Sequence, residues 1–318
     1  MICGRMSKLK AAGQFGYYAK WFMLSKVGRK SPLVNTMLIN YDCNLRCKHC
    51  SVHENIDKLP GPRTIPYDMA VQELEKKFND GARVAFFEGG EPTLWKDGDK
   101  DLGDLIQAAK RVGYFVTGYT TNGTNVIFEQ SDVISVSLDG PREVHDRIRG
   151  PGVFDKLMAN LAKTDHQNIF ANMVVMQENK NALKGTLEAV QASGRINGLM
   201  INFLTPPPRS QALSLEEKRK VVEEAMALKK QGYPVLNTNS ALKELLIEDY
   251  EKRCPAWASA FVLPGPTYFY GCPMRGTEAC KQCGFDAVRE YSLIVRGNPF
   301  AISQMSGRFA LSGKRRKV

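Results

Sequence analysis

Three cysteines, Cys43, Cys47 and Cys50, stand in the segment Tyr-Asp-Cys-Asn-Leu-Arg-Cys-Lys-His-Cys with the spacing C-x3-C-x2-C. Thiolates are soft and anionic, so three this close together can share one soft metal centre. Four would close an ordinary zinc or iron–sulfur site. Three leave one iron of a [4Fe-4S] cluster without a protein ligand, open to a small molecule. A second pattern, Phe86-Phe87-Glu88-Gly89-Gly90-Glu91-Pro92, ends an apolar run in a Gly-Gly-Glu-Pro turn. Gly89 and Gly90 permit backbone geometry that other residues resist. A second cysteine group, Cys254, Cys272, Cys280 and Cys283, ends in C-x2-C. Four thiolates there can hold either a four-cysteine zinc knot or a second [4Fe-4S] cluster. Cys3 stands alone and is read as incidental.

These groups need elements to position them. Strands are expected at 35–41, 83–88, 114–120, 133–138, 169–176 and 198–204. β-Branched and aromatic runs such as Val133-Ile134-Ser135-Val136-Ser137-Leu138 suit a buried parallel sheet. Helical patterns lie between them, at 66–80, 101–112, 153–164 and 179–193; Pro66 and Asp68 mark one start. Segment 124–130 is short enough to be a single helical turn. Repeated β-α units argue for a parallel sheet with right-handed crossovers. Reacting groups then belong at the C-terminal strand ends, where the cysteine loop and the glycine turn both fall. Thr205-Pro206-Pro207-Pro208-Arg209 breaks the pattern, and Ser214-Leu215-Glu216-Glu217 reopens a helix with a capping-box signature.

Residues 8–27 precede the first strand. Ala11, Phe15, Tyr18 and Phe22 form an apolar face widened by Tyr17, Trp21 and Leu24, with Lys10, Lys20 and Lys26 beside it. This reads as a basic amphipathic helix interrupted by Gly13 and Gly16. It suits either docking on the barrel or peripheral contact with an anionic membrane surface. The chain divides into a basic N-terminal segment (1–33), an α/β unit (34–205), a cysteine-rich C-terminal extension (206–300) and a basic tail (301–318).

The C-x3-C-x2-C loop and the Gly-Gly-Glu-Pro turn at successive strand ends resemble the radical S-adenosylmethionine (SAM) enzymes, over roughly residues 34–205. The resemblance implies a partial (β/α)6 TIM-like radical SAM barrel. It implies a [4Fe-4S] cluster on Cys43, Cys47 and Cys50 whose open iron chelates SAM. Reductive cleavage of SAM to a 5′-deoxyadenosyl radical follows, with flavodoxin or ferredoxin as the kind of electron donor. The segment Gly89, Gly90, Glu91 and Pro92 would hold the SAM amino group, with Glu91 accepting from the ammonium. His49 takes a position that the family usually gives to an aromatic near the adenine; stacking there and an exposed loop histidine both remain open. Asn122 falls at the end of the third strand, and Ser137 and Asp139 at the end of the fourth, where the family contacts the SAM ribose or carboxylate. Asn172, Met176, Gln177 and Asn202 are weaker candidates, and the family's glycine-rich fifth-strand motif is not visible. A looser resemblance to adenosylhopane synthase-like enzymes rests on the basic-aromatic N-terminus, Cys254 to Trp257, and Cys283-Gly284-Phe285-Asp286-Ala287. It raises a lipid or isoprenoid substrate. A peptide-modifying maturase is the alternative, although the residues before residue 34 are too few for a leader-binding winged helix. A non-catalytic metal- or nucleic-acid-binding protein is the other.

The chain of 318 residues has 44 Lys and Arg against 33 Asp and Glu, a net charge of +11. That excess suits an anionic partner or simple solubility; no nucleic acid partner is expected. No long apolar run or signal-peptide pattern is present, and the clustered cysteines favour metal binding in a reducing cytoplasm, with peripheral membrane contact left open.

Overall fold

The structure, a computed structural model, describes residues 2–54, 57, 61–205, 209–265 and 267–303. The chain runs α1 (Ile2–Lys26), β1 (Val34–Asn40), α2 (Ser51–Glu54), α3 (Tyr67–Asn79), β2 (Val84–Gly89), β3 (Lys96–Asp97), β4 (Lys100–Asp101), α4 (Leu102–Val112), β5 (Val116–Thr121) and β6 (Val133–Ser137). It continues α5 (Arg142–Arg149), α6 (Val153–Ala162), β7 (Ile169–Val175), α7 (Leu183–Ser193), β8 (Leu199–Phe203), α8 (Leu215–Lys230), α9 (Asn239–Glu244), β9 (Ser259–Leu263), β10 (Thr267–Tyr270), α10 (Glu278–Lys281) and α11 (Asp286–Val295). The main sheet has the order β10-β9-β1-β2-β5-β6-β7-β8, and β3 and β4 form a separate hairpin. All neighbours from β9 through β8 pair in parallel; only β10 is antiparallel. This is the expected α/β partial barrel, left open between its edges.

Period-two patterning builds the barrel wall. Met37, Ile39, Ala85, Phe87, Tyr119, Ile134, Val136, Ala171 and Met173 are buried outward beneath the helices. The alternate residues face the lumen. Val34, Val84, Val116 and Val133 close its floor, with Phe115, Phe170 and Tyr291 against them. Above that floor, half-exposed side chains such as Leu38, Glu88, Thr120, Ser137 and Asn172 line an open chamber.

Helix starts follow local chemistry. Asp101 caps α4 by accepting from Gly103 and Asp104 N–H, and Asp104 returns the bond, completing a capping box. Ser214 and Glu217 do the same for α8. Gly113, at φ 113°, ends α4 in the left-handed conformation that glycine permits.

Several expectations need correction. Segment 124–130 contains no helical turn. The expected helix at 179–193 begins only at Leu183, because the Asn179 amide is spent on the carbonyls of Asp139 and Val174. Helix α5 was not anticipated, because five of its eight residues, Arg142, Glu143, Asp146, Arg147 and Arg149, are charged. Strands β9 and β10 were also unforeseen; β9 extends the sheet beyond β1 with residues of the cysteine-rich extension.

The N-terminal helix docks on the barrel floor, the end opposite the cysteine loop. Tyr17 donates to Gly81 O at 2.6 Å, and Trp21 donates to Ser31 O at 2.9 Å. Tyr17 and Tyr18 stand edge-on to Phe115, and Trp21 packs on Trp257. The aromatics assigned to a membrane interface are therefore occupied by the protein itself. The triple-proline break at 206–208 and most of the basic tail, from residue 304, lie outside the described residues, as do the side chains of Cys3, Lys10 and Ala11.

Candidate active site

The cysteine loop leaves β1 and is tied at once to the glycine turn that ends β2. Gly90 N–H donates to Asn40 O at 2.9 Å, and Glu91 N–H donates to Asp42 O at 2.8 Å. The Asn40 amide donates back to Glu91 O at 3.0 Å. A Cβ on Gly90 would collide with the backbone oxygens of Tyr41 and Asp42. Gly89 adopts φ 150° and would collide with Asn40 O. Both glycines are thus fixed by the close approach of two backbones, which sets the cysteine loop against the β2 end.

The three thiols are free and partly exposed. Cys47 lies within electrostatic reach of both Cys43 and Cys50. Each sulfur faces an N–H donor: Leu45 N–H to Cys43 at 3.4 Å, His53 N–H to Cys50 at 3.4 Å, and Arg149 Nη1 to Cys47 at 3.8 Å. The Asn122 amide adds a second donor to Cys43 at 3.8 Å. Burial pushes the Cys47 thiol up to about 11, against the opposing pull of Arg149. A soft donor set with N–H groups aimed at the sulfurs fits an iron–sulfur cluster, whose thiolates such donors stabilise.

Arg149 was not foreseen. It ends α5 almost wholly buried, and its Nε donates to Asp139 Oδ2 at 2.7 Å. Asp139 is fully buried. Its Oδ1 accepts from Val174 N–H at 2.9 Å, and His49 Nε2 stands 3.7 Å from Oδ2. Burial alone would raise the Asp139 carboxyl, but Arg149, His49 and the Val174 N–H outweigh it and hold the group below its ordinary range. In this structure Asp139 holds Arg149 against Cys47. The His49 side chain is 10% exposed and leans on Asp139. Burial keeps its imidazole below its usual pKa. Asp139→Asn should destabilise the fold by about 3–5 kcal/mol, the cost of leaving one partner of a buried pair uncompensated; denaturant unfolding measures it.

Glu91 is likewise bonded within the protein. The side chain is 1% exposed. Its Oε1 accepts from the Thr93 N–H and from the hydroxyls of Thr93 and Thr121, and Oε2 accepts from Asn122 N–H at 2.7 Å. Burial raises its carboxyl despite these donors. Glu91 locks the ends of β2 and β5 together, rather than pointing at the mouth. Pro92 opens the short 3-10 turn that this bonding caps. Asn122 joins that lock to the cysteine loop through Asn44 Oδ1 at 2.9 Å. Ser137 keeps a half-exposed lumen position opposite Asn172. Asn202 accepts from Asp286 N–H at 2.7 Å, and Gln177 donates to Glu217; both are committed to packing the extension and α8. Met176 is buried with Ile148 and Leu204.

The second cysteine group also assembles. Cys254 feels the charges of Cys283, Cys272 and Cys280, and burial pushes its thiol up to about 11. Its loop is pinned to the β8 end: Phe203 N–H donates to Gly284 O at 3.0 Å, and Gly284 N–H donates to Thr205 Oγ1 at 2.7 Å. Arg289, fully buried, donates to Cys283 Sγ at 3.1 Å and to Cys283 O at 2.7 Å, and its guanidinium lies 4.0 Å from the centre of the Tyr250 ring. A cavity of about 260 Å³ opens beside Cys283, between Leu215 and Lys218 of α8 and the loop through Ile247.

An open parallel barrel with a three-thiol loop at its strand ends marks a class, α/β proteins built to hold a metal cluster with a ligand site left over. Residues 37–190 match the family model of the radical SAM superfamily. The match implies a [4Fe-4S] cluster and SAM. Among relatives, Fe-coproporphyrin III synthase of Methanosarcina barkeri (strain Fusaro / DSM 804) is 27% identical over 212 residues, covering 60% of this chain and 51% of that protein. Mycofactocin maturase MftC of Mycolicibacterium smegmatis (strain ATCC 700084 / mc(2)155) is 29% identical over 174 residues, 49% of this chain and 41% of that protein. The chain spans about half, or less, of the length of these curated relatives. The structure of native anSMEcpe with bound AdoMet superposes with a TM-score of 0.61 at 15% identity, covering 83% of this chain and 80% of that one. Streptococcus suis SuiB bound to S-adenosylmethionine gives a TM-score of 0.60 at 13% identity, over 91% and 70% of the two chains. At these identities the structural likeness concerns the fold.

Proposed function

We propose that this protein is a radical SAM enzyme that binds SAM at the mouth of its barrel and directs radical chemistry at a substrate in the lumen. The observation that carries the reading is the joining of Cys43, Cys47 and Cys50 to the Gly89-Gly90 turn by paired backbone hydrogen bonds. When bound, a [4Fe-4S] cluster with SAM on its open iron supplies the electron that cleaves SAM to methionine and a 5′-deoxyadenosyl radical. The chain's own residues position these groups. The three thiols take the cluster, and their N–H donors favour the thiolate form. Arg149, fixed by Asp139, places a positive charge at Cys47, where an incoming carboxylate can pair with it. The carbonyls of the Gly89-Gly90 turn accept from an ammonium. Asn122, Ser137 and the His49 ring complete the wall toward the ribose and adenine. Anaerobic protein reduced with dithionite, or with a flavodoxin or ferredoxin donor, should convert SAM to 5′-deoxyadenosine. SAM left intact by reconstituted, reduced protein would overturn the reading in favour of a non-catalytic metal protein.

Cys254, Cys272, Cys280 and Cys283 are proposed to hold a second [4Fe-4S] cluster in preference to zinc. Cys254 lies within electrostatic reach of Cys272, Cys280 and Cys283, so four thiolates stand together as the donor set such a cluster needs.

Among the described residues no helix is long and apolar enough to cross a membrane. A lipid substrate delivered by peripheral docking keeps one support: α1 and the turn after it expose Phe15, Met23 and Val27, with the exposed cations Lys20, Arg29 and Lys30 in the same segment. Binding to anionic liposomes that weakens with salt and fails in Phe15→Ser, Met23→Ser protein would support this route. Equal sedimentation of wild type and variant would remove it.

A further inference from the structure

The lumen holds one ionisable side chain at the strand positions that face it, Glu88, and neither the cysteine loop nor the glycine turn uses it. Its neighbour across the sheet on one side is Leu38, in register on β1. On the other side the Thr120 hydroxyl donates to Oε1 at 3.4 Å, near the limit of a hydrogen bond. Among the described residues the carboxylate's hydrogen-bond partner is Thr120, and no cation pairs with it. Below it, the Phe86 ring lies across Gly118, which has no side chain to oppose it. The valine floor lies below that ring. Glu88 is therefore the base of the open upper chamber, one residue before the glycine turn. Neutral groups, Thr120, Ser137, Asn172 and Met200, make up the surrounding wall.

The partly exposed carboxylate faces the open chamber, where a bound donor would take the place of water. The strand would be better served there by a β-branched residue. Burial already pushes the Glu88 carboxyl above its ordinary pKa.

We propose that Glu88 anchors a substrate chamber in the lumen, and that the molecule taken there presents an N–H or O–H donor to its carboxylate. The assignment rests on the reading that SAM sits at the Gly89-Gly90 turn directly above. It selects substrates with a polar hydrogen at the reacting end and disfavours a bare hydrocarbon terminus.

Calorimetric titration of reconstituted, SAM-loaded protein with n-butylammonium, 1-butanol and diethyl ether tests it, the ether being able to accept but not donate. Wild type should bind a donor-bearing probe and discriminate against the ether. Glu88→Leu should weaken the bound probe roughly tenfold or more, the loss expected for one hydrogen bond to a charged group. Loss of butylammonium binding already in Glu88→Gln, with butanol retained, identifies a cationic donor. Loss of butanol binding only in Glu88→Leu identifies a hydroxyl. Equal binding of the ether, no binding of any probe to wild type, or unchanged affinity in Glu88→Leu would each overturn the proposal. Wild type assayed without probe should form 5′-deoxyadenosine, and circular dichroism should show Glu88→Leu folded. If wild type itself forms none, the functional reading fails, and the binding comparison still judges Glu88.

Discussion

Replacing Cys43, Cys47 and Cys50 together by alanine should abolish 5′-deoxyadenosine formation. The variant should lose the iron of the first site and keep that of the second. The reason is stoichiometric: only these three sulfurs stand in the loop beside the glycine turn, and the other described thiols belong to the second group. No neighbouring ligand can substitute, because His49 is tucked against Asp139. Each single replacement should be nearly as severe, since a cluster with two protein ligands is left exposed to solvent. The fold should survive, because the thiols are partly exposed and make no packing core. The loop is instead held by the Asn40–Gly90 and Asp42–Glu91 bonds. Anaerobic turnover followed by quantification of 5′-deoxyadenosine, beside iron analysis of the same sample, separates loss of cluster from loss of fold. Full turnover by the triple variant would remove these cysteines from the chemistry.

Much of this site was legible in the chain because its signals are local. Cys43, Cys47 and Cys50 carry their meaning in their spacing, and Gly89-Gly90 carries its meaning in the absence of a side chain. Period-two runs such as 133–138 placed the six barrel strands to within a residue or two. What stayed hidden depends on contacts between distant segments. Arg149 sits in Arg-Glu-Val-His-Asp-Arg-Ile-Arg, a stretch that reads as solvated charge until the fold buries it on Asp139. Asp139 and Glu91 look like ligand-binding acids at strand ends. Only the hydrogen-bond census shows that their oxygens are already spent. Tyr17 and Trp21 have the composition of an interfacial helix, and composition cannot distinguish a membrane from the underside of a barrel. Glu88 shows the converse. Its parity on β2 was readable, since it alternates with the buried Phe87, but a charge beside a glycine motif is easily read as part of the turn.

The second cysteine group yields the other large effect. Reconstituted wild type should carry about eight irons, the sum of two cysteine-ligated four-iron clusters. Replacing Cys280 and Cys283 with alanine should halve that number and leave the first site loaded. The two replacements differ in consequence. Cys280 lies in the short helix α10 at the surface, whereas Cys283 is gripped by Arg289 through both its sulfur and its carbonyl. Removing the Cys283 sulfur takes from the buried Arg289 one of its acceptors, although the Cys283, Phe285 and Glu244 carbonyls remain. The variant should therefore stay folded and lose metal before it loses stability. If the site passes or stores electrons, 5′-deoxyadenosine formation without substrate should persist, since the first cluster has its own ligands, while coupled turnover should fall. Four irons with one tightly held zinc in the wild type would assign the group to a zinc knot. Loss of the first cluster in the Cys280, Cys283 variant would instead mean that the extension, through β9 beside β1, holds the cysteine loop in place.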